Sequence, residues 1–410
     1  MSTTLDRSRR EFLRLSALLT AATALPAWAA PADDAVRIGY LPITDSSPLL
    51  IAHARGLFEA EGLTAETPRL FRSWAQLVEA FMAGRVNVVH LLSPITVWAR
   101  YGANFPARVT AWNHMAGSAL TVAPTIESVK DLGGQQVAIP FWYSIHNVVL
   151  QQILRDAGLT VVTRPKDKPG PNEVVLTVMA PADMGPALAN GAIAGFIVAE
   201  PFNAAAETQG IGKILRFTGD VWNNHACCVV FQHERDLQER PEWSQQVVNA
   251  IVKAQHWMRD HRAETAALLA RDGSGKYTPF PQPVLERVLV PNAERDREYL
   301  ASGANRHADW NRERIDFQPW PFPSYTEALV RALKDTQVEG DNGFLAGLDP
   351  AFVARDLVDD RFVRTAIESV GGLGAFGVTG GGERTERIAV WASRSKSRRT
   401  GCPRPVGVLN

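Results

Sequence analysis

Cysteine is scarce in this chain: three in 410 residues, Cys227, Cys228 and Cys402. That excludes a disulfide-stapled scaffold, and no C-x-x-C pair marks a zinc knuckle. Charge of one sign is not in excess either. Lys plus Arg and Asp plus Glu both number 43, so no global field draws the chain to nucleic acid or an anionic membrane. The apolar run Leu15 to Trp28 is too short for a permanent bilayer anchor. There is no G-x-S-x-G elbow, no Walker loop, and no dinucleotide-type G-x-G-x-x-G after a strand. Gly371-Gly-Leu-Gly-Ala-Phe-Gly is glycine-rich but follows a helical pattern. No internal repeat is visible. What is present is 46% hydrophobic and 21% charged residues, an ordinary globular composition, in a chain long enough for two domains.

The first residues read as an address. Ser8-Arg9-Arg10-Glu11-Phe12-Leu13 is a twin-arginine motif, followed by the apolar run and a small-x-small cleavage site at Ala27-Trp28-Ala29. Residues 1–29 are therefore expected to be a signal peptide, and the mature protein to be periplasmic. From Val36 short apolar runs alternate with amphipathic helices, the signature of an α/β fold with mostly parallel sheets covered on both faces. The alternation divides into a first lobe (36–123), a second lobe (124–224), and a return strand at Cys227–Phe231 that completes the first lobe with helices (225–370). The glycines and the basic run Arg394–Arg399 suggest a disordered tail over 371–410.

In a two-lobed sheet protein the loops leaving strand C-termini face the cleft. Here they carry Thr44-Asp45-Ser46-Ser47, Ser73-Trp74, Leu92-Ser93-Pro94, Phe141 to Asn147 and Glu200-Pro201-Phe202-Asn203, with Trp222 to Cys228 before the return strand. Ser47 is the expected N-cap of a helix beginning at Pro48, a turn that would leave free N–H groups for a ligand. Phe141-Trp142-Tyr143 is either a ligand platform or packing between lobes. His146 stands at a helix start, whose positive end favours a neutral ring. Glu200 either binds a cationic group or caps the next helix. Cys227-Cys228 has three readings: inert core, a vicinal disulfide, or soft metal ligands together with His225.

Gly39-Tyr-Leu-Pro-Ile-Thr-Asp, Ala54-Arg-Gly-Leu-Phe, Ser73-Trp74, Ile145-His146-Asn147-Val148, Val198-Ala-Glu-Pro-Phe-Asn203 and Trp222-Asn-Asn-His225 together resemble the solute-binding proteins of nitrate/bicarbonate/sulfonate-type ABC importers. That class shares its fold with the thiamine-precursor synthases. The resemblance spans about Arg37 to Arg262. It implies a type II periplasmic binding protein fold, two lobes with mixed, mostly parallel sheets and an inter-lobe cleft, delivering a small solute to an ABC permease. It implies no catalysis, no resident metal or cofactor, a monomer, and no nucleic-acid partner. Ligand contacts carry over to Trp74, His146 and Ala199; Trp142, Ser46, Glu200 and Asn203 line the same loops. Where the class has a glutamine this chain has Ser118, and the class's anion-neutralising lysine falls at or beside Cys228. An unpaired buried anion is costly. An organic, heterocyclic or sulfur-containing solute is therefore expected over nitrate or bicarbonate. The alternatives are an enzyme of the thiamine-precursor-synthase type, using a histidine and iron, or a metal- or redox-sensing binder using His225, Cys227 and Cys228.

Overall fold

Runs of β-branched and aliphatic residues too short for helices become the strands of two sheets. The computed structural model describes residues 35–164, 168–310 and 313–389. The 1–29 signal, the Arg394–Arg399 run and Cys402 lie outside the described residues. In chain order the strands of these two larger sheets are β1 (Ile38–Tyr40), β2 (Arg69–Leu70), β3 (Val88–Leu92), β4 (Ala107–Trp112), β5 (Ser118–Val122), β6 (Gln136–Ile139), β7 (Thr160–Val162), β8 (Glu173–Val178), β9 (Gly195–Ala199), β10 (Lys213–Phe217) and β11 (Cys228–His233); Ala35–Val36 with Thr64–Ala65, and Met115–Ala116 with Ile315–Asp316, form two small two-stranded sheets.

One sheet has the order β2-β1-β3-β11-β4 and the other β7-β8-β6-β9-β5-β10. In the first, β1 runs parallel to β2 and β3, while β11 is antiparallel to both β3 and β4. In the second, β7, β8, β6 and β9 are parallel, and β5 is antiparallel to β9 and β10. The antiparallel β11 and β5 start where their parallel neighbours end. Cys228 thus faces Leu92 at the carboxyl edge of one sheet, and Ser118 faces Ala199 at the carboxyl edge of the other.

The sheet cores are mainly apolar, with His90, Thr110, Thr121 and Gln232 buried among aliphatic side chains. Ile38, Val88, Val89, Leu91, Val230 and Phe231 are fully buried in the first, and Leu120, Val137, Ile139 and Ile197 in the second. Gly39 sits in β1 because the core leaves no room for a side chain. A Cβ there would lie 2.6 Å from Leu77 Cδ1 and 3.0 Å from Val86 Cγ2. Gly39→Ala is expected to destabilise by about 1–3 kcal/mol through overpacking, measured by urea denaturation.

Three local expectations change. The helix after β1 spans Ser47–Ala54 with Ser46, not Ser47, at its N-cap. Neither hydroxyl caps it: Ser46 Oγ donates to the Leu41 and Ile43 carbonyls, and Ser47 Oγ donates to Thr44 O. The turn's N–H groups are not free, since Thr44 N–H donates to Glu200 O and Ser46 N–H to Ile43 O. The stretch from 371, expected to be disordered, is instead packed as far as the described residues reach, to 389. Trp222 Nε1 donates to Glu386 Oε2 at 2.7 Å, Trp320 Nε1 donates to Gly382 O, and Ala389 N–H pairs with Val221 O. Phe376 and Ile388 are buried. Glycine here supplies tight turns against two tryptophans rather than freedom.

Candidate functional site

Segments leaving the carboxyl edges of both sheets converge on one buried place. From the first sheet come Asp45 in the turn after β1, His114 just beyond β4, and Cys227 and Cys228 at the start of β11. From the second come Ser118 at the start of β5 and His146 in the first turn of the helix Ile145–Asp156. That helix is capped by Ser144 Oγ, which accepts from Asn147 N–H. Asp45, His114, His146, Cys227 and Cys228 are all fully buried.

The contacts centre on one carboxylate oxygen. Asp45 Oδ2 lies 2.9 Å from His114 Nε2 and 3.3 Å from each thiol. Cys227 Sγ reaches across the junction to His146 Nε2 at 3.8 Å and Ser118 Oγ at 3.7 Å, and Ser118 Oγ is 2.9 Å from His146 Nε2. Asp45 Oδ1, His114 Nδ1 and His146 Nδ1 have no hydrogen-bond partner. Burial raises the Asp45 pKa to about 7 against the pull of His114. Burial would lower that of His114, but the Asp45 carboxylate raises it to about 10. Burial opposes ionisation of Cys227, yet the Cys228 thiol, His146 and His114 together hold its pKa well below the ordinary value. Burial and the thiol and carboxylate beside it push Cys228 well above. Both cysteines are free thiols.

The sequence-derived candidates divide into two groups. His146, Ser118 and Cys228 meet at the junction. Trp74 is buried but lies edge-on to His90, ring centroids 5.4 Å apart. Ala199 and Glu200 stand one step away: Glu200 O accepts from Thr44 N–H and Oγ1–H, tying the lobes together. The Glu200 side chain accepts from Ala204 N–H in the first turn of the next helix and pairs with Arg314, so it caps and bridges. Asn203 is occupied by Thr121 and Val198 O, and the Ser46 hydroxyl by backbone carbonyls. Trp142 is buried, and its carbonyl accepts from Asn147 Nδ2. Tyr143 stacks on Trp98 of the first lobe at 5.8 Å, so that ring packs between the lobes. His225 does not join the cysteines. Its Nε2 pairs with Thr218 Oγ1 at 2.9 Å. The histidine that does is His114, which sequence reasoning missed; its position two residues past the end of β4 was the available signal.

An open cavity of about 460 Å³ is lined by residues other than those of the junction. Leu41, Pro42, Ile43 and Arg72 line it from one side and Pro181 and Phe202 from the other, with Arg271 and Lys276 at its rim.

His90 adds a pH dependence. It is fully buried, accepts Leu41 N–H through Nε2, and burial lowers its pKa to about 3. Burial likewise lowers His233 to about 4. Both rings are neutral when folded but take up a proton at about 6.5 when unfolded. Their stabilisation is complete above pH 6.5 and is lost as pH falls toward 4. Unfolding free energy is expected to drop by roughly 1–3 kcal/mol per pH unit across that window, and less steeply in His90→Gln, by urea denaturation at stepped pH.

Residues 29–271 match the NMT1-like family. The chain belongs to that family. It is 24% identical over 242 residues to the nitrate/nitrite binding protein NrtA of Nostoc sp., covering 54% of this chain and 53% of that protein. The chain spans about half the length, or less, of the curated relatives it matches first. Its structure is similar to that of the periplasmic nitrate-binding protein NrtA from Synechocystis PCC 6803. The TM-score is 0.69 at 16% identity, over 88% of this chain and 95% of that one. It is also similar to the ligand binding component of an ABC-type import system from Staphylococcus aureus, solved with zinc bound. There the TM-score is 0.62 at 22% identity, over 82% and 99%. At such identities the likeness is one of fold, and the fold is that of periplasmic binding proteins. The resemblance to nitrate/bicarbonate/sulfonate-type binding proteins read from the sequence thus holds.

Proposed function

We propose that this chain is the periplasmic solute-binding component of an ABC importer, exported through its twin-arginine signal, and that it captures a small solute at the lobe junction without transforming it. The observation that carries this reading is the convergence of polar side chains from both sheets on one buried place, with Cys227 Sγ 3.8 Å from His146 Nε2. A binder of this design closes by hinge motion, and contacts from both lobes select the closed form. The junction offers two thiols, two imidazoles and a carboxylate. It has a thiol at Cys228, at or beside which the resemblance places a lysine in the anion binders. Such a lining favours a polarisable heterocyclic or sulfur-containing solute over a bare anion. Cys228, Ser118, His146, Trp142 and Trp74 are the proposed contacts, with Ala199, Glu200, Asn203 and Ser46 in support.

Calorimetric titration of the purified mature chain against nitrate, bicarbonate and a panel of heterocyclic and sulfur-containing organic solutes tests the reading. Organic binding is expected, weakened at least tenfold in His146→Ala by loss of a buried polar contact worth about 1.4 kcal/mol or more. Tight nitrate binding with no organic response would overturn the solute class.

A further inference from the structure

We propose that the lobe junction is a metal site, in which Asp45, His114, Cys227 and Cys228 together bind one borderline-soft divalent transition ion of the zinc type. The proposal deepens the reading of this junction as a binding site and rests on it.

The geometry carries the argument. One donor atom from each residue lies within 4.8 Å of every other, all four residues being buried. Around a tetrahedral zinc, with bonds of about 2.0–2.3 Å, neighbouring donor atoms stand roughly 3–4 Å apart. Asp45 Oδ2 stands 3.3 Å from Cys227 Sγ and from Cys228 Sγ, within that range, and 2.9 Å from His114 Nε2, just short of it. Two sulfurs, one imidazole nitrogen and one carboxylate oxygen form a donor set suited to zinc, too soft for magnesium or calcium.

The hydrogen bonding points the same way. His114 Nε2 faces both Asp45 Oδ2 and the Cys228 N–H at 3.2 Å. A lone pair that accepts from the amide cannot also donate to the carboxylate. One carboxylate oxygen carries three contacts, while Asp45 Oδ1 beside it has none. A cation among the four donors relieves the crowding on Asp45 Oδ2, His114 Nε2 then giving its lone pair to the ion rather than to the Cys228 N–H.

Binding is a proton exchange. The ion takes the lone pairs of two sulfurs, His114 Nε2 and an Asp45 oxygen, and every proton these groups carry beforehand, on thiol, imidazole or carboxyl, leaves to water, with no change of oxidation state. All four donors come from the first-sheet side; Ser118 and His146 then cover Cys227 from the second.

The test is titration of the reduced, metal-free full chain with cobalt(II), followed by zinc. Wild type is expected to develop a thiolate-to-cobalt charge-transfer band of two-thiolate intensity at one equivalent, which zinc abolishes. Cys227→Ser and Cys228→Ser should each halve the band. His114→Gln and Asp45→Asn should weaken affinity by more than the roughly 10–100-fold that loss of an outer-sphere partner costs. His225→Ala, which removes a histidine bonded to Thr218 instead, should leave the band unchanged. Circular dichroism identifies variants that do not fold, and native mass spectrometry of wild type gives an independent count of one ion. No band and no mass increment in reduced wild type, or a band that survives loss of both cysteines, overturns the proposal. An organic solute bound with no metal overturns it while leaving the importer reading standing; metal bound with no organic response does the reverse to the solute class.

Discussion

Replacing Arg314 by methionine is expected to cost about 3–5 kcal/mol of unfolding free energy, seen as a shifted urea midpoint at unchanged slope. Arg314 Nη2 lies 2.6 Å from Glu200 Oε1 and 3.2 Å from Glu207 Oε2, and Glu200 is fully buried. Burial holds the Glu200 carboxyl above its ordinary pKa even with Arg314 and the Ala204 amide pulling it down. Without the guanidinium that carboxylate has lost its counter-charge in a low-dielectric place. Two outcomes separate this cause from simple loss of packing. Glu200→Gln in the same chain should restore part of the stability, as a double-mutant cycle reads. Arg314→Lys should recover less than half, because an ammonium cannot reproduce the fork that spans two carboxylates. If Arg314→Met shifts the midpoint by less than about 1 kcal/mol, the pair is ornamental, as exposed pairs commonly are.

A chain ending at Val370 is expected to lose more still. Residues 371–389 provide the acceptor for Trp222 Nε1 at Glu386, the acceptor for Trp320 Nε1 at Gly382 O, and the buried side chains Phe376 and Ile388. Glu386 also accepts from Ser324 Oγ and pairs with Arg384, whose guanidinium lies 4.3 Å from the Phe322 ring centroid. Burying two such apolar side chains contributes about 1.5–3 kcal/mol each. Leaving two indole N–H groups without protein acceptors costs about 1–3 kcal/mol each. The sum, roughly 5–12 kcal/mol, equals the whole stability of many domains. The truncated chain should fail to accumulate as soluble protein, or melt at least roughly 10 °C lower by calorimetry. A melting temperature within about 2 °C of the full chain would show that the segment is dispensable.

Much of the architecture is legible in the sequence because the signals are local. Gly195–Ala199 and Gln136–Ile139 are apolar runs bounded by turn residues, and they fold as read. The strands Thr160–Val162 and Lys213–Phe217 carry weaker signals: an edge position, and charged residues at Lys213 and Arg216. The 371–389 stretch misleads because its order comes from Trp222 and Trp320, partners distant in the chain, while its glycines look like breakers. The site was half legible. His146, Ser118 and Cys228 could be placed by resemblance, and the Asp45 turn by its strand-end position. His114 and Arg314 could not, for each matters only through a neighbour distant in the chain: Asp45 for one, Glu200 for the other. Cys227 and Cys228 were visible as a pair, but adjacency pointed to His225 when strand pairing brings His114.

The lobes contribute unequally to their meeting place. Asp45, His114, Cys227 and Cys228 all stand on the five-stranded sheet or the segments next to its strands, whereas Ser118 and His146 come from the side of the six-stranded sheet. If the jaws part as proposed, an occupant gripped by the four stays aboard one jaw and loses only its cover, and handing it onward calls for something that reaches into the gaping molecule and prises it off.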